Sequence, residues 1–570
     1  MTRPMLLLIV LALTCAVYAN SLQGEFTFDD VAVLQWLDGG MTSFVANEMG
    51  IAHRPLPYFT YWLNFIVGSR TPFWYHVVNL FFHLIAVTLV FFLVEHLLRK
   101  GRDWWDPPYH FVRYAAAFGA AVFGVHPFFS GAVSYIYGRG SIMAACFVFG
   151  AALAALKLKG LWPWIVVPGL LACGVLSKEE ALIAPALFLG YAVIHRHWTA
   201  AQGLLVAMII GLVAVMLLTP HIPTVFNTTG NVNPVPDLVM NYGEGPSVQD
   251  HRKAVLSGYA FHTLGNLILP LWLTPDPALV TDKRWIGAVA IILALSALAL
   301  SVKIPADIRM AVWALLCCPI LGAMVVLLAE PLFEYRAYSM GLGVALLAGA
   351  IFLRLARLRP GPALACVVIA ALSAGTIQRN QVWSTVIGLW QDASNKDPWK
   401  KRPALNLSAA LLKAKRDIEA ERVLLDILVK YPAFRAGHIN LAAVYIENKR
   451  CDAGEHHARY GVPVPIAFTY IALCQASWKD FDNALINVES AIRIDPQMMY
   501  AQSVRLSILN EMGRTQEEIT RLEQETTAKP NDRIAHATLS MAYRIAGLYD
   551  AADEQSRISK QLDINVKEND

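Results

Sequence analysis

The stretch Phe468–Pro496, FTYIALCQASWKDFDNALINVESAIRIDP, decides how the last third of the chain is read. Prolines recur around it: Pro398, Pro432, Pro465, Pro496 and Pro530 stand 34, 33, 31 and 34 residues apart. A period near 34 residues with two helices per unit marks a stack of helix pairs. The segment NLAAVYIENKRCDAGEHHARYG, residues 440–461, fits the same unit. Small residues such as Ala442, Ala472, Ala484 and Ala491 would let paired helices pack closely. The spacing predicts five helix pairs between Ala404 and Lys560. Stacked pairs make a concave surface that suits an extended peptide. The plainer alternative is a rigid spacer.

This period is the tetratricopeptide signature. Upstream of it the composition changes. The whole chain of 570 residues is 56% hydrophobic and 16% charged, with mean hydropathy +0.45. Soluble domains carry about a quarter charged residues, so an integral membrane protein is expected. The net charge of +4 is too small to suggest a nucleic-acid partner. Long apolar runs stop near Thr376, and charged residues become frequent from Gln378. The expected organisation is all-α. A polytopic helical membrane domain covers 1–378, a linker 379–403, a soluble tetratricopeptide-repeat solenoid 404–564 and a tail 565–570.

Apolar stretches of spanning length, about 17 to 25 residues, lie near 4–20, 74–97, 113–131, 135–156, 161–177, 181–195, 201–219, 286–302, 311–329, 338–354 and 362–378. The first, in MTRPMLLLIVLALTCAVYAN, has the build of a signal peptide, with Val17 and Ala19 placed for cleavage. An uncleaved anchor is preferred, because many spans follow. Two further stretches, 54–68 and 255–273, are short or broken by polar residues. If neither crosses, Arg99 with Lys100 and Arg102, Lys157 with Lys159, Arg196, Lys303 with Arg309, and Arg354 with Arg357 and Arg359 all fall inside. The expectation is therefore eleven spans in a bacterial inner membrane, with the repeats on the periplasmic side.

The chemistry-bearing residues gather at the predicted outer ends. Phe26-Thr27-Phe28-Asp29-Asp30 follows the first apolar segment directly. The two carboxylates either cap the next helix or take a proton from a substrate. Then come His53-Arg54-Pro55, His76 and Asn79, His126-Pro127, Tyr137-Gly138-Arg139-Gly140, Ser177-Lys178-Glu179-Glu180, and Glu334-Tyr335-Arg336 with Tyr338. Ionisable residues at a bilayer edge are expensive and so are functional candidates. Arg139, Lys178 and Arg336 on the side of the carboxylates suit a reaction with an anionic leaving group and a hydroxyl nucleophile. Each has a duller reading. Arg139 and Lys178 could snorkel to headgroups, and Glu334 could pair with Arg336. His76 and His83, seven apart on one helix, read as packing rather than metal ligation. Glu179 and Glu180 could hold a divalent cation with Asp29 or Asp30. No phosphate loop, zinc spacing or Gly-x-Ser-x-Gly elbow is present.

In order, FTFDD, HRPLPYFTYWLNF, FWYHVVNLFFH, VFGVHPFFSGAVSYIYGRG, LSKEEALIAPAL and EYRAYSMGLG resemble the transmembrane and tetratricopeptide-repeat O-mannosyltransferases and their bacterial relatives. These belong to the GT-C glycosyltransferase superfamily. The segment RNQVWSTVIGLWQDASNKDPWKKRPALNLSAAL is similar to that family's join between membrane and repeat domains. The resemblance implies a polyprenyl-phosphate sugar donor, reaction at the outer face, and transfer to Ser or Thr of a secreted protein. It implies an acidic base in the first outer loop, matching Asp29 and Asp30. Glu334-Tyr335-Arg336-Ala337-Tyr338 departs from the animal pattern, which is closer to Glu-Arg-x-Leu-Tyr.

The expected roles follow. Asp29 is the base and Asp30 its support. Arg139, Lys178 and Arg336, with His53, Arg54 and His126, hold the phosphate, and Glu179, Glu334 and Tyr338 support them. The repeats would bind the acceptor protein. Two alternatives stay open: a surface glycan or lipid as acceptor, and a non-catalytic assembly factor. Cys451 and Cys474, the two cysteines of the repeat domain, should be neighbours on antiparallel helices and could form a disulfide.

Overall fold

The structure, a computed structural model, describes residues 1–38, 54–100, 108–195, 248–277, 283–325, 333–356, 358 and 361–569. It is all-helical over these residues, and the chain divides into two compact units at Asp397 and Pro398.

The first unit is a bundle of apolar helices. Five described segments are long and apolar enough to cross a membrane: Arg3–Gln23, Pro72–Arg99, Ile136–Lys157, Glu334–Leu355 and Gly361–Trp383. Tyr109–Gly124 and Pro127–Val133 form a sixth if the 44° bend between them lies within one span. The protein is a multi-pass membrane protein. The count of eleven does not follow from these helices. Residues 201–219 lie outside the described residues, and 311–329 extends beyond them. The expected span 113–131 breaks at Gly124, because Pro127 cannot continue a helix. The expected span 181–195 is a tight turn, Glu179–Ile183, followed by a helix of only 12 residues, Ala184–His195. The stretches set apart as non-crossing are short in one case and interrupted in the other. Pro55–Gly68 has 14 residues, and Val248–Ile268 is interrupted by a wider turn at Gly258–Thr263.

Without a hydrophobic drive between helices in lipid, close packing of small residues holds a bundle together. Helices Tyr109–Gly124 and Gly341–Leu355 approach on such a seam. A side chain at Gly119 would come within 2.3 Å of the Ala345 carbonyl, and one at Gly349 within 3.0 Å of the Ala115 carbonyl.

The stretch 379–403, expected as a linker, is mostly helical and belongs largely to the first unit. Helix Gly361–Trp383 runs through Arg379. Thr385 then caps a new helix, Val386–Lys396, its hydroxyl accepting from the Gly388 N–H at 3.0 Å. Trp383, Leu389 and Trp390 are buried, which anchors this segment.

The second unit is five helix pairs, beginning at Lys401 rather than Ala404. Ala442, Ala472, Ala484 and Ala491 are all fully buried between helices. The turn inside each pair passes through one left-handed residue: Lys415, Lys449, Lys479, Gly513 and Gly547. A left-handed residue after a helix end lets freed carbonyls find donors. Only the last two positions use glycine, which adopts that conformation freely. The second pair is shortened, because helix Cys451–Gly461 has 11 residues where its counterparts Asp417–Lys430 and Phe481–Ile494 have 14. Pro463 forces the preceding residue out of helix there. Cys451 and Cys474 are both free thiols, side by side. Burial, and then the Cys451 thiol, push the Cys474 thiol well above its ordinary range.

Candidate active site

The first helix ends in a turn at Ala19–Gln23, and the chain then runs extended to Phe28. Its edge is tied to the junction segment. The Glu25 N–H donates to the Ser384 carbonyl at 2.8 Å, and Asn380 donates to the Val17 carbonyl and the Asn20 side chain. His76 meets the Gly24 carbonyl at 3.2 Å. Phe28 has φ +53°, a conformation rare for a bulky residue. Its ring packs against Tyr135, Phe333 and Trp390.

This turn gives the two carboxylates different environments. Asp30 is fully buried. One of its oxygens accepts from the Thr27 N–H at 3.0 Å and the other from the Tyr137 N–H at 2.8 Å. Burial pushes the Asp30 carboxyl up to about 7, against the pull of the Thr27 and Tyr137 hydrogen bonds. Asp29 is half-buried and accepts from the Tyr135 hydroxyl at 2.8 Å. Asp30 thus clasps two chain segments, and Asp29 is the more accessible of the pair.

The partner segment, 133–137, is held from behind. Asn79 donates to the carbonyls of Val133, Tyr135 and Ile136, at 3.2, 3.0 and 3.3 Å. Arg139 in turn donates to the Asn79 side chain at 2.7 Å, and to Thr60 and the Tyr75 carbonyl at 3.0 Å each. Its guanidinium also stacks over Tyr61. The expectation for Arg139 is corrected here. It is fully buried and committed to protein acceptors, so it is a strut under the Asp29–Tyr135 contact, not a phosphate ligand.

The cations that do gather are Arg54, Lys178 and Arg336. One Arg54 nitrogen reaches both Glu179 oxygens, at 2.8 and 2.9 Å. Arg336 lies 3.3 Å from Glu179 and 3.7 Å from Glu180. Lys178 meets Glu180 at 3.0 Å and donates to the Ser141 hydroxyl at 2.8 Å. Among the described residues, three cations gather around two carboxylates. Burial lowers the Lys178 ammonium to about 8, with Glu180 opposing. Burial works to raise the Glu179 carboxyl, but Arg54, Lys178 and Arg336 outweigh it and hold it down to about 2.

Tyr335 joins cluster to carboxylate. The Lys178 ammonium sits 4.2 Å above its ring, and the rings of Phe333 and Tyr135 lie 5.3 and 5.7 Å from it. An anion beside the cluster and a hydroxyl beside Asp29 would flank one tyrosine pair.

The remaining expected site residues lie elsewhere. Glu334 is not paired with Arg336: it accepts from the Thr274 N–H at 2.9 Å and pairs with Arg379 at 3.3 Å. Tyr338 is buried in the bundle, bonded to His83 at 2.6 Å. His126 accepts from the Phe128 N–H at 3.2 Å and caps the turn at the helix break. Of the three, only His126 was expected to hold the phosphate, and it is buried and bonded within this turn. His53 lies outside the described residues. Among the described residues no three His, Cys, Asp or Glu side chains come together as metal ligands. Glu179 and Glu180 are turned to cations instead, so these residues do not fit a divalent ion. Reasoning from sequence gave no role to Tyr135, Tyr335 or Arg379. A cation at the end of the last span was the available signal for Arg379.

No family model matches the chain. Curated proteins do. A protein O-mannosyl-transferase of Caenorhabditis elegans is 29% identical over 193 residues, 31% of this chain and 26% of that protein. The human protein O-mannosyl-transferase TMTC1 is 27% identical over 31% of this chain and 22% of its own length. The mouse protein O-mannosyl-transferase TMTC3 is 27% identical over 35% and 22%. Its curated relatives are protein O-mannosyl-transferases. The matches span about a quarter of those relatives' length. Among solved structures, the tetratricopeptide-repeat protein YrrB aligns with 30% of this chain at 14% identity and TM-score 0.22. The hetero-tetramer Cut9–Hcn1 aligns with 93% at 11% identity and TM-score 0.24. At such scores the repeat architecture rests on the helix pairs themselves.

Proposed function

We propose that this chain is a GT-C-type membrane glycosyltransferase. It would move a sugar, mannose by the names of its relatives, from a polyprenyl phosphate to Ser or Thr hydroxyls of a secreted or surface protein. The observation that carries this reading is Asp29, a half-buried carboxylate oriented by Tyr135 on the same side as the gathered cations Arg54, Lys178 and Arg336.

In this reading the acceptor hydroxyl gives its proton to Asp29 as its oxygen attacks the anomeric carbon. The bond from that carbon to the phosphate oxygen breaks, and the electron pair leaves with the polyprenyl phosphate. Attack opposite the leaving group inverts the configuration. Lys178, Arg336 and Arg54 steady the departing anion. Asp30, Asn79 and Arg139 hold Asp29 and Tyr135 in place. The site would lie on the periplasmic side of a bacterial inner membrane. In support, helices leading away from it reach their last turns at Arg99, Lys157 and Arg354, as the positive-inside rule asks. The repeats would present the acceptor polypeptide.

Glycopeptide mass spectrometry of secreted proteins, with the wild-type chain, without it and with Asp29→Asn, tests the reading. Sugar should disappear from Ser or Thr without the chain. The variant should insert normally and lose on the order of 10²–10⁴-fold of transfer. An Asp29→Asn protein that glycosylates fully would sink the assignment.

A further inference from the structure

Glu334 directly precedes Tyr335 and Arg336, and a closed ring of contacts holds it. One of its oxygens accepts from the Thr274 N–H at 2.9 Å, and the other meets a terminal nitrogen of Arg379 at 3.3 Å. The other terminal nitrogen of Arg379 donates to Asp392 at 2.7 Å. Lys396, one turn further along the same helix, pairs with Asp392 at 2.7 Å and donates to the Leu273 carbonyl. Leu273 precedes Thr274, so the contacts return to their start. Charges of alternating sign thereby join the segment 273–274, the turn Glu334–Met340, the end of helix Gly361–Trp383 and helix Val386–Lys396.

The ring is graded in depth. The side chains of Glu334 and Arg379 are 2% and 4% exposed, those of Asp392 and Lys396 18% and 28%. Arg379 already balances the charge of Glu334, and pairs near the surface add little to stability. Geometry gives the outer pair a reason to be there. Charge-assisted bonds from nitrogen to carboxylate run at about 2.7–2.9 Å. The Asp392 contact meets that length and the Glu334 contact does not. Arg379 is therefore gripped by Asp392 and presented to Glu334. A planar guanidinium held at one end offers its other end in a fixed direction. The same two helices also back the Asp29 side of the site, where Trp383 stacks on the Tyr135 ring at 5.4 Å.

We propose that Asp392 and Lys396 are positioning residues. Through Arg379 and Glu334 they set the direction of the turn that carries Tyr335 and Arg336. The inference rests on the function proposed above for what that turn does. It adds two residues from the last helix of the first unit, far in sequence from the cations they serve.

The test puts meta-fluorotyrosine in place of Tyr335 in the full-length chain in nanodiscs and reads its fluorine NMR line. Asp392→Asn and Lys396→Met should each shift or split the line, and Asp392→Glu, which restores the charge, should return it. Arg416→Gln, in an exposed pair of the repeats, should leave it in place. Unchanged thermal unfolding shows that the variants fold, and two positions guard against one failing. The same proteins are assayed for transfer of mannose from polyprenyl-phosphate mannose to a synthetic Ser/Thr peptide. Asp392→Asn should lose on the order of 10²-fold of kcat, as a misplacement of about 1 Å does, with KM for the peptide unchanged. In a Glu334→Gln background the same change should add no further loss, because it acts through Glu334. A fluorine line that stays put in both Asp392→Asn and Lys396→Met overturns the proposal. So does a moved line with wild-type kcat, or a loss that is fully additive with Glu334→Gln. If the wild-type chain transfers no sugar while the line moves in the variants, the function proposed above falls and the ring stands as what holds the turn.

Discussion

The two units use charge in opposite ways. In the repeat unit, pairs such as Arg416–Glu419 and Arg514–Glu517 are three residues apart on exposed helix faces. Such pairs add little to stability. In the membrane unit, Lys178–Glu180 and Glu334–Arg379 are almost wholly buried, with side chains 2–4% exposed. Burying ions costs several kcal/mol each before attraction and hydrogen bonds offset it. A bundle needs no such pairs to be stable. Where they gather at the broken ends of helices, they mark chemistry or a scaffold for it.

Removing one partner of a buried pair should show the contrast most strongly. Arg379→Met leaves Glu334 buried without its cation. It should destabilise the membrane unit by about 3–5 kcal/mol in denaturant unfolding. The double variant with Glu334→Gln should recover much of that. If Arg379→Met unfolds like wild type, the buried pairs are no different in kind from the exposed ones.

Protonation of Asp30 should give the next effect. Its carboxyl moves from an ordinary value of 3.8 to about 7 on folding. The folded state therefore binds its proton more tightly. The stability this contributes is fully present below about pH 4 and is lost as pH rises through about 7. The change is on the order of a few kcal/mol. Unfolding curves at pH 4.5 and 8 should show that loss in wild type and little of it in Asp30→Asn.

In the repeat unit the largest available gain is small. Lys479→Gly relieves a left-handed backbone at φ +62°. It should stabilise the solenoid by about 0.5–1 kcal/mol in thermal unfolding. At the bottom of the scale, Arg416→Gln should leave the unfolding midpoint unchanged within error, because its ion pair is exposed. A clear drop there would blur the distinction between the units.

What could be read from the sequence follows the same division. The solenoid was legible because its period, its prolines and its small residues are local and repeated. Apolar runs such as 74–97 and 338–354 were legible by length and hydropathy. The breaks at Gly124 and Ile183 were not, since hydropathy runs straight through them. Nor could the role of Arg139 be read. Composition shows an arginine among apolar residues, but its acceptors Asn79, Thr60 and Tyr75 lie 60, 79 and 64 positions away. Asp29 and Asp30 are adjacent and chemically identical, and only the turn at Phe28 separates their fates. The junction segment hid its helices because Trp383 and Trp390 anchor them among charged neighbours that resemble a linker.

Phe28 also sets a limit on how this protein can be improved. Glycine there would relax the left-handed backbone and ease folding of the turn. It would also delete the ring wedged against Tyr135, Phe333 and Trp390. Asp29 and its tyrosine would then drift apart on a more comfortable chain. Relief of the backbone is worth about 1–2 kcal/mol and loss of a packed aromatic ring costs about 3–5 kcal/mol, so position 28 keeps its strained backbone for the sake of its ring.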